Sequence, residues 1–230
     1  MASIGQMYSH VEKHAEVPPM GKILFYSGSP TADILVISEA PTREMPHGGR
    51  TFYASTVHRH QEGEWDTDDI TAFWEAYPFT DDLAEFGFHS EKRHQLYTVY
   101  VDQILDFVEN KPETIAFTDV YKEPLDGDDL SMALADDAVD YGMILKAQLD
   151  YVQPEVIVCN KKNVSSTVTQ LLGVTDPADQ EPNVSTRLKV SFPSWETTVV
   201  FSGMAHGYMD LFSRQRLSRE IKAVYNRRSG

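Results

Sequence analysis

The sequence predicts an α/β fold: a three-layer sandwich in which a central four-stranded parallel sheet is flanked by helices. Three observations carry that expectation. Four short apolar runs are continuous and rich in β-branched residues, as strands covered on both faces are. Stretches with helical periodicity lie between them. The third run follows Gln153-Pro154-Glu155, a common passage from a helix into a parallel strand.

Taken in order, the first run is Asp33–Ser38 (DILVIS) and the second Thr114–Val120 (TIAFTDV). The third is Val156–Cys159 (VIVC) and the fourth Thr197–Ser202 (TTVVFS). Among the helical stretches, Gln95–Val108 places Leu96, Val99, Tyr100, Gln103, Ile104 and Phe107 near i, i+3/i+4 spacing. Leu134–Val152 repeats the pattern with Ala138, Tyr141, Ile144, Leu145, Leu149 and Val152. Val164–Leu172 is a shorter helix, and Leu211–Tyr225 closes the series with Leu211, Phe212, Leu217, Ile221 and Val224 expected inward. No internal repeat or low-complexity linker divides the chain, so residues 1–230 read as one domain.

The chain has 230 residues and a formal net charge of −15, from 35 Asp+Glu against 20 Lys+Arg. Taken whole, that charge opposes a nucleic-acid partner. It is unevenly spread, however. Glu62–Glu85 holds nine acidic residues and Glu123–Asp140 seven, neither with any Lys or Arg. Arg43–His60 instead carries Arg43, Arg50, Arg59, His47, His58 and His60 against Glu44 alone, and Arg214–Gly230 is also basic. The acidic blocks fit either a hydration surface suited to high salt or an ordinary acidic cytosolic protein.

A single cysteine, Cys159, excludes a disulfide framework and a four-cysteine metal or iron–sulfur site, and it is expected to be buried and inert. No apolar run approaches ~18 residues, so no membrane span is expected. The first residues lack the apolar core of a secretory signal, which leads to a cytoplasmic expectation and leaves the N-x-S matches at Asn163 and Asn183 without meaning. His10 and His14 have metal-compatible i, i+4 spacing, but no carboxylate motif completes a site. Neither a Walker lysine loop, a G-x-G-x-x-G nor a G-x-S-x-G elbow is present. No cofactor and no metal are expected.

Parallel sheets bind ligands at the carboxyl ends of their strands. The first strand is followed by Glu39-Ala40-Pro41-Thr42 and then Gly48-Gly49-Arg50-Thr51-Phe52. The second ends in Asp119-Val120-Tyr121-Lys122, the third in Asn160-Lys161-Lys162, the fourth in Gly203-Met204-Ala205-His206-Gly207. One sheet edge can therefore gather Glu39, Phe52, Asp119 and His206.

These stretches resemble the uracil-DNA glycosylase superfamily, in particular the branch whose first motif reads Gly-Glu-Ala-Pro-Gly. ADILVISEAPT (Ala32–Thr42) and GGRTF (Gly48–Phe52) are similar to that motif and the Gly-x-Pro-Phe segment after it. TIAFTDVYKEP (Thr114–Pro124) has the shape of the strand that ends in a base-reading Asn, with Asp119 in that place. YVQPEVIVC (Tyr151–Cys159) resembles the approach to the third strand, and Ala205-His206-Gly207 the His-Pro-Ser motif. The likeness runs from about Ala32 to Val224, with residues 62–91 reading as an acidic insertion. Ser38 and Thr42 replace the glycines of the first motif, His206 lacks the Pro-Ser that follows it, and the branch's cluster-binding cysteines are absent.

The resemblance implies a DNA glycosylase that hydrolyses the N-glycosidic bond of a flipped damaged or deaminated base, uracil for example. Its partner would be single- or double-stranded DNA, bound by a monomer. Glu39 would orient water or stabilise the sugar cation, by analogy with glycoside hydrolysis, with Glu44 as the alternative carboxylate. His206 would donate to the departing base. Phe52 would stack on that base, with Ala40 and Pro41 beside it. Asp119 would meet its Watson–Crick edge as an acceptor, which suits an amino-bearing edge. Arg43, Arg50, Arg59, Lys161 and Lys162 would contact the phosphates. Each has a simpler alternative: Phe52 as core, Glu39 as a turn cap, the cations as soluble surface. A non-catalytic nucleic-acid or base-binding protein on the same fold is the other functional reading.

Overall fold

The computed structural model describes residues 3–17, 26–40, 52–77, 83–88, 100–108, 113–122, 140–160, 162–174, 185–202 and 210–225. Six strands form one mixed sheet: β1 (Tyr26–Ser27), β2 (Ile34–Ser38), β3 (Ile115–Asp119), β4 (Val156–Asn160), β5 (Ser185–Ser191) and β6 (Glu196–Ser202). Their order is β1-β3-β2-β4-β6-β5. The helices are α1 (Ile4–His14), α2 (Phe52–Gln61), α3 (Thr67–Ala76), α4 (Tyr141–Val152), α5 (Lys162–Leu172) and α6 (Leu211–Tyr225). A 3₁₀ turn spans Leu83–Phe86 and a π-helical turn Tyr100–Ile104.

The four runs expected from sequence are the four central strands, β3, β2, β4 and β6, and all are mutually parallel. Every residue of β3 and β4 is buried, as are Ile34, Leu35, Val36 and Ile37 of β2. Side chains alternate between faces along a strand, so complete burial means that both faces are covered. The expected four-stranded sheet is corrected to six. β1 adds an antiparallel edge beside β3, and β5 adds another beside β6. β1 is too short to show a period. β5 reads STRLKVS and alternates polar with apolar, the mark of an edge strand with one wet face. It forms a hairpin with β6 through Phe192–Trp195, where the Phe192 amide bonds the Trp195 carbonyl at 2.8 Å and the two rings stack at 4.3 Å.

α1 starts from a capping box between Ser3 and Gln6 and buries Ile4, Met7, Tyr8 and Val11, one helical face that packs on α4 and α3. α3 lies inside the acidic segment, yet Ile70, Phe73 and Trp74 on it are at most 1% exposed. The described part of residues 62–91 is thus built into the common core. In α6 the inward stripe is Ser213, Leu217, Ile221 and Val224. Leu211 and Phe212, expected inward, are 64% and 80% exposed. The stripe begins at Ser213, so these two residues precede the first turn that meets the sheet. Cys159 is buried as expected, and burial pushes its thiol pKa up.

Candidate active site at the carboxyl edge of the sheet

The connection leaving β2 leads to β3 on one side, whereas the connection leaving β4 leads towards β6 on the other. The carboxyl ends of β2 and β4 therefore flank the place where the strand order reverses, which is where open parallel sheets form a ligand crevice. Register puts a row of four polar residues along this edge. Asp119 pairs with Ser38, and Asn160 pairs with Ser202. Asp119, Asn160 and Ser202 are 4%, 2% and 1% exposed. The Asn160 Nδ2 donates to Ser38 Oγ at 3.4 Å and so bridges the reversal point. Polar side chains at the ends of four strands are costly to bury unless each finds partners. They can offer a carboxylate, two hydroxyls and an amide to one bound group.

Glu39 is the first residue beyond β2. The pairing of β2 with β3 continues past the sheet there: the Val120 amide donates to the Ser38 carbonyl and the Tyr121 amide to the Glu39 carbonyl, both at 2.9 Å. Glu39 and Asp119 thus stand at adjoining strand ends, as expected. Glu39 is only partly exposed, and its charge joins burial in raising the Tyr121 phenol pKa. Ala40 follows, half-buried against the core. α5 begins at Lys162, just past Asn160, so its amino-terminal amides and the positive end of its dipole lie at the same edge.

Phe52 is the first residue of α2 and Lys162 the first of α5, but their side chains lie outside the described residues. Pro41, Arg43, Glu44, Arg50, Lys161 and His206 also lie outside them. Of the gathering expected from sequence, the described residues put Asp119 at the end of β3 and Glu39 one residue past the end of the neighbouring β2.

Arg59 occupies a different setting from an open phosphate-binding cation. Its Nη1 donates to the Phe86 carbonyl at 2.7 Å and its Nη2 to the Gly87 carbonyl at 2.9 Å. The guanidinium lies 4.8 Å from the Trp65 ring and 4.6 Å from Phe88. Such cation–π contacts tie α2 to the 83–88 segment. His10 and His14 lie on α1 with ring centroids 4.3 Å apart, and His14 Nδ1 is 2.8 Å from the His10 carbonyl. Among the described residues no group of three metal-ligating side chains occurs.

Sequence reading passed over two groups here. One is Asn160, visible in the sequence as the residue that closes the third apolar run. The other is Lys122, whose side chain is 1% exposed. Its Nζ donates to Thr118 Oγ1 at 2.8 Å, to Gln148 Oε1 on α4 at 2.6 Å, and to the main-chain oxygen of Asp119. Burial lowers the Lys122 pKa to about 7, against the raising effect of Asp119. A lysine in sequence reads as surface, so no signal short of its position three residues past a strand end could have singled it out. No protein-family model matches the chain, and a search of curated proteins finds no match.

Proposed function

We propose that the protein is a DNA glycosylase-like hydrolase on a uracil-DNA glycosylase-like fold, acting on a flipped damaged or deaminated base. The observation that supports this most is the position of Glu39 and Asp119 at the ends of neighbouring strands, beside the reversal point that Asn160 bridges. In this reading Glu39 orients the attacking water or stabilises the oxocarbenium-like sugar. Asp119 accepts a hydrogen bond from the base edge, and Phe52 stacks on the base. His206 donates to the exocyclic oxygen that gains charge as the base leaves. A donor aimed at that oxygen lowers the barrier by ~3 kcal/mol. The bond from the anomeric carbon to the base nitrogen breaks, water supplies the new oxygen, and the base departs with a proton.

The test is abasic-site formation on oligonucleotides carrying uracil, hypoxanthine, xanthine or an amino-bearing damaged base, at low and high salt. Product is expected on at least one of them, with Glu39→Gln slower by about 10²–10⁴-fold. Asp119→Asn is expected to shift preference towards carbonyl-bearing edges, because an amide donates as well as accepts. Absence of product on every base from folded protein would contradict the enzyme and favour the binding reading.

A further inference from the structure

Lys122 sits where few lysines sit. Its ammonium has three donors, and the structure provides three oxygens for them: one from β3 (Thr118), one from the strand end (the Asp119 carbonyl) and one from α4 (Gln148). Gln148 is itself wholly buried, and its Oε1 also accepts from Thr118 Oγ1 at 3.2 Å. The same four-residue turn, Asp119 to Lys122, is held on its other side by the amides of Val120 and Tyr121, which donate to the carbonyls of Ser38 and Glu39. One buried side chain thus closes a brace that runs from α4, through the end of β3, to the residue beyond β2. The Asp119 carboxylate lies close enough to act on the Lys122 charge.

We propose that Lys122 is a positioning residue for the carboxyl-edge site: its ammonium clamps the Asp119–Lys122 turn to Gln148, and thereby fixes Asp119 and, through the paired backbones, Glu39. This rests on the site assigned under the proposed function, which it deepens by naming what holds the two carboxylates in place. A buried cation is costly without compensation. Here three oxygens and a nearby carboxylate supply that compensation, and all of them converge on the one turn that carries Asp119. A lysine kept merely to fill space could be replaced by an apolar chain of similar volume with the turn left in place. A clamp could not, because its loss frees the turn.

Among the described residues, Asp119 on β3 is the charged group acting on Lys122. Tyr121 is the next titratable neighbour along the turn, its phenol raised by burial and by Glu39, and α4 contributes the neutral Gln148. The decisive measurement is therefore the Lys122 Nζ titration by nitrogen-15 NMR of the intact protein, in wild type and in Asp119→Asn. The wild-type midpoint is expected near neutrality, and the variant midpoint lower, since a favourable charge has been removed. A midpoint indifferent to Asp119→Asn overturns the proposal. In Lys122→Met, the amides of Glu39 and Tyr121 are expected to shift, and any abasic-site formation to slow at least tenfold while the thermal transition is kept. Unshifted amides with an unchanged rate overturn it equally. The titration and the amide shifts need no turnover, so failure of the clamp and failure of the glycosylase reading are separate results.

Discussion

At the scale of single residues, the edge of the sheet is governed by which polar groups are buried and what satisfies them. Glu39 and Asp119 were legible because each stands one hydroxyl residue past an apolar run, at the end expected to carry function. Lys122 was not legible. Its partners Thr118 and Gln148 come from the strand before it and from a helix 26 residues away. The setting of Arg59 was hidden for the same reason: sequence shows a basic neighbourhood but not the Phe86 and Gly87 carbonyls, 27 and 28 residues on, that accept two of its hydrogen bonds. The Lys122 proton gives a prediction whose sign is fixed. In the unfolded chain it leaves near 10.5, in the folded protein near about 7. Between those values the unfolded chain binds more protons, so raising the pH favours the folded state. The urea midpoint is expected to rise from pH ~7 to pH ~9, and Lys122→Met is expected to remove that rise. A second prediction concerns Cys159. Buried at 0% exposure with its thiol pKa raised, it should resist thiol reagents in the native protein and react only on unfolding.

At the scale of elements, the strands that were legible are those whose central apolar runs are buried on both faces. β2, β3, β4 and β6 fall within a residue of the expected limits at either end, apart from Val156–Asn160 taking in the polar Asn160. The edges were hidden because β1 and β5 are specified by their neighbours. β1 depends on Gly28, whose φ of +97° turns the chain away after two paired residues. A Cβ there would lie 2.6 Å from the Ile115 carbonyl oxygen and 3.0 Å from the Ala116 Cα, both backbone atoms with no room to yield. Gly28→Ala should therefore cost roughly 1–3 kcal/mol in denaturant unfolding. Helix α6 offers the opposite case. Helical periodicity in its sequence places Leu211 and Phe212 inward, yet both stand at its exposed amino-terminal end, just after the connection from the carboxyl end of β6. Apolar side chains in that position can enter a base stack. Phe212→Ala should leave stability within about 0.5 kcal/mol of wild type while weakening binding to duplex oligonucleotides.

At the scale of the whole molecule, the net charge of −15 sets the terms on which any DNA would be met. Self-repulsion at that charge opposes the compact state, and salt screens it. The thermal midpoint should therefore rise as sodium chloride is raised from about 0.05 to 1 M, given a screening length that shrinks from more than ~10 Å to ~3 Å. Oligonucleotide affinity should show a shallow salt slope, since 35 Asp+Glu outnumber 20 Lys+Arg and Arg59 donates to two protein carbonyls. The acidic segment carries its own lesson at this scale. Its charges suggested an insertion, and Ile70, Phe73 and Trp74 on α3 lie in the same core as the sheet. Composition reports the wet face of such a segment and says little about the buried one.

Under the proposed reading, the carboxyl edge of β2, β3 and β4 receives a base drawn from DNA. Amide chemical-shift mapping with an oligonucleotide that carries a deaminated base on a cleavage-resistant 2′-fluoro sugar tests this most directly. The largest shifts are expected at Ser38, Glu39, Asp119, Tyr121 and Asn160, and not with an undamaged oligonucleotide of the same sequence. Saturable binding that leaves these five amides unmoved, or no binding from 0.05 M salt upward, would contradict it.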